Sequence, residues 1–141
     1  MELRIPESVG SVTPNLNYLN FSIGTDIVKN QRISKNLSNH RFISRILSPQ
    51  EIKIFEKIKN VKRKIEFLSG RFSAKESITK ALNYKLNFNQ ITILPGSFVE
   101  IDQPLKNKIN KLLNSKDFYL SVSISHESDY TISFCLAVFI R

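Results

Sequence analysis

The chain has 141 residues, enough for one domain with its own apolar core and too few for two ordinary ones. Its 21 Lys and Arg against 12 Asp and Glu leave a formal charge of +9, which calls for an anionic partner: nucleic acid, a phosphorylated small molecule or an acidic protein. One cysteine excludes an internal disulfide, no apolar run approaches the roughly 18 residues of a membrane span, and no signal-peptide order opens the chain, so it reads as cytoplasmic.

Residues 1–20 carry Pro, Gly, Ser and Asn without sustained periodicity and read as an N-terminal extension; residues 21–141 read as the single domain. From Phe21 the pattern alternates, with Phe21, Ile23, Thr25 and Ile27 on one face and Ser22, Gly24, Asp26 and Val28 on the other, which predicts a strand. Gly24 would let another element approach its backbone beside Asp26. Asp26 is either a cap acid at the strand's end or a functional carboxylate. Two short helices follow. The first, about Asn39 to Leu47, puts Arg41 and Arg45 on one face; the second opens at Ser48-Pro49-Gln50-Glu51 with a capping box and buries Ile52, Phe55 and Ile58.

Residues 61–83 predict the longest helix, and one charge in it stands where an apolar side chain is expected. Val61, Ile65, Leu68 and Phe72 draw a line whose next position is Glu76. Phe67, Ala74, Ile78 and Ala81 form a second stripe, so the helix should be packed from two directions. A carboxylate near a core needs a cation, hydrogen bonds or a proton. Lys80 at i+4 could supply the cation, or the two could form an ordinary ion pair on a solvated edge. Gly70, inside this helix, predicts close approach by another element. Beyond Asn83 come short strands over residues 90–94 and 98–101, a helix opened by Asp102-Gln103-Pro104, and two strands, 119–125 and 130–140, joined by a hairpin at His126 to Asp129. Cys135 lies in the last, apolar strand and reads as a buried thiol. The order predicts an α+β fold, a mainly antiparallel sheet packed on a long central helix.

Candidate chemistry gathers on few residues. His126 shares the parity of Leu120, Val122 and Ile124 and either is an ordinary hydrogen-bonded residue or holds a phosphate; its neighbour Ser125 faces the opposite way. Asp26, Glu76 and Lys80 together suit a magnesium ion with open positions for phosphate oxygens. No Walker loop and no zinc-type cysteine cluster is present. A magnesium-dependent nuclease or a basic nucleic-acid-binding domain is the competing reading.

Four ordered segments then carry a resemblance: Ile23 to Val28 (IGTDIV), Arg45 to Glu51 (RILSPQE), Phe67 to Glu76 (FLSGRFSAKE) and Val122 to Glu127 (VSISHE). Over about residues 21–140 the chain resembles the holo-[acyl-carrier-protein] synthases of the 4'-phosphopantetheinyl transferase superfamily. The resemblance implies transfer of 4'-phosphopantetheine from coenzyme A to a serine of apo-acyl carrier protein, with release of adenosine 3',5'-bisphosphate and no role for nucleic acid or membrane. It implies that Asp26 and Glu76 bind Mg2+ and that Lys80 contacts the phosphates. Arg71, Lys75, Pro104, Ser125 and His126 become candidate coenzyme A contacts, and Arg32, Arg41 and Arg45 candidates for meeting the acidic carrier protein. It implies a homotrimer with sites between neighbouring subunits. Lys29, where the family usually has an acid, and Asp102-Gln103-Pro104, where it usually has Gly-x-Pro, depart from the pattern. The proton acceptor stays open among Glu76, Asp26 and water.

Overall fold

The computed structural model describes residues 19–141. The extension read over residues 1–20 lies outside them except for Leu19 and Asn20, which already belong to strand β1 (Leu19–Lys29). Four helices follow: α1 (Asn30–Ser34), α2 (His40–Ile46), α3 (Pro49–Lys57) and α4 (Val61–Leu82). The hairpin β2 (Ile91–Leu94) and β3 (Phe98–Ile101), helix α5 (Gln103–Leu113) and strands β4 (Asp117–His126) and β5 (Tyr130–Ile140) complete the chain. The long strands form one antiparallel sheet in the order β1-β5-β4, and β2 and β3 form a second. The expected α+β architecture, with a long helix against an antiparallel sheet, is the one observed.

Helix α4 lies on the inner face of the large sheet because both surfaces are built from small side chains there. A Cβ on Gly24 would stand 1.9 Å from the carbonyl oxygen of Ser77, so only glycine permits this approach. Ser73 hydrogen-bonds Ser133 of β5 at 2.8 Å and the Asp26 carbonyl of β1 at 3.3 Å, which pins the helix over the middle of the sheet. Gly70 meets the ring of His126, the close approach its place in a helix predicted.

The helix is packed from two directions, as its stripes require. Ala74, Ile78, Ala81 and Leu82 join a core with Val122, Cys135, Ala137 and Phe139, while Leu68 joins another with Val28, Ile33, Ile46, Leu47 and Phe55. Two assignments change. Val61, at the head of the expected buried line, is 62% exposed. Phe67 packs in the second core, its ring 6.2 Å from that of Phe55, and not with Ala74 and Ile78. The Cys135 thiol is buried, and burial pushes it up to about 12, which makes it inert.

A buried ion pair joins the short helices to α4. Ser48 and Glu51 form the expected capping box, with Ser48 N donating to Glu51 Oε1 at 2.8 Å and Glu51 N to Ser48 Oγ at 3.3 Å. Glu51 is also fully buried: it takes the ammonium of Lys75, and its Oε2 accepts from Ile93 N at 3.1 Å. Lys75, equally buried, donates further to the Ile46 carbonyl at 2.7 Å. Burial pulls this ammonium down to about 8, with Glu51 opposing the drop and Arg71 adding to it. One contact set thus ties α2, α3, α4 and β2.

Removing one partner strands the other charge in the core. Lys75→Met is expected to cost about 3–5 kcal/mol, and the double variant Glu51→Gln, Lys75→Met clearly less than the sum of its singles. Urea midpoints of the four proteins measure this, and additive losses would show that the charges act independently.

Candidate active site

On the last turns of α4, that helix and β1 bring together the acids and the lysine singled out in the sequence. Asp26 points inward from β1 with its side chain 14% exposed, and its Oδ1 receives the Lys80 ammonium at 3.3 Å. Lys80, more than half exposed, also donates to the Thr25 carbonyl at 2.8 Å, so the strand's backbone and side chain fix it together. Lys80's ion pair is therefore with Asp26, across elements, rather than the i,i+4 pair with Glu76 that spacing alone allowed. The second Asp26 oxygen, Oδ2, is buried and has no hydrogen-bond partner.

Glu76 is half-buried on the adjoining turn of α4. Burial, and then the charge of Asp26, raise its carboxyl above the ordinary range; Lys80 and Arg32 pull the other way without cancelling them. Two acids thus sense one another, and the cations present do not satisfy both. Among the described residues no three His, Cys, Asp or Glu gather into a metal cage. The pair is an open arrangement of the kind a hard cation with few protein ligands uses.

Arg32, Arg45 and Lys85 lie near Glu76. Arg32 lies with its guanidinium 5.9 Å from the Phe72 ring centre, itself packed between Phe42 and Phe88. Arg45 and Lys85 line a cavity of about 550 Å³ together with Glu76, Thr79 and Phe88. Arg41 is exposed one turn before Arg45 on α2. Sequence reasoning missed Lys85, because nothing in its spacing ties it to α4.

Other predicted contacts lie elsewhere. Lys75, expected to reach coenzyme A, is buried on Glu51 and presents no atom to a ligand. Arg71 lies 4.1 Å from the Phe67 ring centre and donates to the Ile93 carbonyl at 3.0 Å. Pro104 stands exposed in the first turn of α5. Ser125 and His126 belong to β4, which β5 separates from β1, so they stand about 10 Å, two strand spacings, across the sheet from Asp26's strand. Their side chains also leave opposite faces: His126 lies over Gly70 of α4, while Ser125 points outward. One chain therefore assembles the acids, Lys80 and the arginines, but leaves the Ser-His pair on the other flank.

Comparison with known proteins defines the class. The model of the 4'-phosphopantetheinyl transferase superfamily matches residues 22–135. A holo-[acyl-carrier-protein] synthase of Pelagibacter ubique is 38% identical over 123 residues, covering 81% of this chain and 93% of its own. One from a Geobacillus species is 40% identical over 112 residues, covering 79% and 90%. The ACPS-CoA complex of Chronobacterium ammoniagenes superposes with a TM-score of 0.72 at 25% identity, covering 86% of this chain and 98% of that one. The chain belongs to the 4'-phosphopantetheinyl transferase superfamily. Within it, these relatives place the chain among the holo-[acyl-carrier-protein] synthases.

The raised carboxyl of Glu76 has a measurable sign. The folded protein binds a proton there that the unfolded chain has released, so stability falls as pH rises from about 4.5 through the folded value. With divalent ions chelated, Glu76→Gln should melt above the parent at pH 7, and the gap should close below pH 4.5. Melting curves across pH test this; a variant less stable at pH 7 would mean that the fold already satisfies the carboxylate.

Proposed function

We propose that this chain transfers 4'-phosphopantetheine from coenzyme A to a serine of apo-acyl carrier protein, releasing adenosine 3',5'-bisphosphate, with Asp26, Glu76 and Lys80 at the reacting phosphates. The observation that carries the reading is the acid pair, with one buried oxygen unpartnered, beside a lysine held by Thr25 and Asp26. The nuclease or nucleic-acid-binding alternative is displaced, because the relatives spanning four-fifths of the chain are synthases. Among the described residues no helix is long and apolar enough to cross a membrane. We place the enzyme in the cytoplasm.

The residues fit Mg2+. Asp26 and Glu76 would hold it, and when bound it would neutralise charge on the coenzyme A diphosphate and fix its orientation. The rest falls to the chain itself. Lys80 offers its ammonium to phosphate oxygens from a position its two partners have fixed, so little freedom is lost on binding. Arg32, Arg41 and Arg45 face the acidic carrier, where long-range attraction speeds encounter and salt weakens it. Lys75 and Arg71 serve by holding α4 in place. Pro104, Ser125 and His126 remain candidate coenzyme A contacts.

Mass spectrometry of apo-acyl carrier protein after incubation with the enzyme, Mg2+ and coenzyme A tests the reading. The parent should add one phosphopantetheine; Glu76→Gln should slow transfer by at least about 10³-fold while keeping its fold, and Mg2+ should raise the melting temperature of the parent only. An unmodified carrier, or full activity in Glu76→Gln, would refute it.

The working unit is a homotrimer in which the Ser125-His126 flank of one copy meets the acid pair of the next. Two observations support this: the two flanks are apart within one chain, and the outer face of the large sheet is apolar. Ile23, Ile27, Ile132 and Phe134 on that face are 44%, 63%, 48% and 42% exposed, an apolar patch of the kind that marks an interface. Ile132→Arg should sediment as a monomer and lose transfer together. A fully active monomeric variant would separate assembly from catalysis.

A further inference from the structure

At the far edge of the sheet, side chains from α1, β5 and β4 form a line of hydrogen bonds whose direction can be worked out atom by atom. Asn30 Nδ2 donates to the carbonyls of Glu127 at 2.8 Å and Ser128 at 3.2 Å, in the turn between β4 and β5. With both amide hydrogens so used, Asn30 presents Oδ1 on its other side, where it accepts from the Thr131 hydroxyl at 2.7 Å. A hydroxyl has one hydrogen to give. Thr131 Oγ1 can then only accept from its remaining neighbour, His126 Nδ1, at 3.1 Å. His126 therefore carries its proton on Nδ1, and in the neutral ring Nε2 holds the lone pair.

The surroundings keep this arrangement intact. Asn30 and Thr131 are 5% and 0% exposed, so water does not compete for these bonds. The ring rests on Gly70, where a Cβ would stand 3.0 Å from His126 Cε1, so the helix holds the ring flat from the other side. Burial lowers the basicity of the ring; Arg71 adds to this and Glu66 opposes it.

We propose that Asn30 and Thr131 are positioning residues that fix His126 as the Nδ1-H tautomer and present Nε2 as a hydrogen-bond acceptor to an N–H or O–H group of coenzyme A, rather than as a donor to its phosphates. This rests on the reading that His126 contacts that substrate. Neither residue touches the reacting atoms. Freed of the line, the ring can turn, and its proton can move to Nε2.

The test uses the full chain in a His40→Gln background, which leaves His126 as the single histidine, with ring-nitrogen NMR as the direct readout. The parent should show Nδ1 protonated and Nε2 bare. Thr131→Val should move the proton toward Nε2 and raise the KM for coenzyme A about tenfold with kcat little changed, and Thr131→Ser should restore both. Asn30→Ala, which frees the Thr131 hydroxyl to donate to Nδ1, should do the same as Thr131→Val and serves if that variant fails to fold. An unmoved tautomer in both variants overturns the proposal, as does an unmoved KM where His126→Ala raises it. An unmoved KM in His126→Ala removes the histidine from the coenzyme A site altogether, and the proposal falls with that reading, while carrier modification by the same protein still reports on the transferase reading separately.

Discussion

The Glu51–Lys75 pair is the contact on which the site's geometry depends. A charged pair in a core gains little net stability over apolar packing, because desolvation offsets most of the attraction. What it supplies here is registry. Lys75 can reach both Glu51 and the Ile46 carbonyl only at one rotation and one height of α4. The next residue is Glu76, so the pair sets the direction in which that carboxylate leaves the helix. Arg71, one turn back, works on the same anchor through the Ile93 carbonyl and the nearby Glu51.

The second constraint is closeness. Gly24 lets Ser77 of α4 sit against β1, and this brings Lys80, three residues on, within reach of the Thr25 carbonyl and Asp26. A larger residue at position 24 would lift the helix and open the gap between the two acids. Gly70 does the same at the other end for His126. The glycines thus fix where α4 lies on the sheet, and the buried pair fixes how it is turned.

Much of this is legible in the sequence, and what is not rests mostly on contacts between distant positions. The motif around Asp26 and the line ending in Glu76 pointed to two carboxylates that the fold brings within electrostatic reach of one another; a charge on an apolar line has to be explained. The same logic applied to Lys75, which stands between Leu68, Ile78 and Leu82 at spacings of seven, three and four, all of them buried in the structure. The Val61 to Glu76 line, which shares Leu68 with it, masks it in the sequence. Glu51 was hidden for another reason: its capping role is complete within four residues, and nothing local reveals that its other oxygen faces Ile93, 42 positions away. Asn30 and Thr131 are 101 positions apart, and no periodicity links them.

Charge balance around the acids connects the fold to the chemistry. A net charge of +9 suggests a site flooded with positive potential, yet the cations nearest Glu76 do not keep its carboxyl from being pushed upward. The reason is commitment. Lys80 is shared between a backbone carbonyl and Asp26, Arg32 is held over Phe72, and Lys75 is buried on Glu51. Lys80 takes only one Asp26 oxygen and the other flexible cations are held elsewhere, which leaves Asp26 Oδ2 unpartnered in a basic neighbourhood. Under the proposed function this is the place where a small hard cation with few protein ligands would sit. Arg32 over Phe72 and Arg45 on the cavity wall that Glu76 also lines keep the neighbourhood basic without occupying that oxygen.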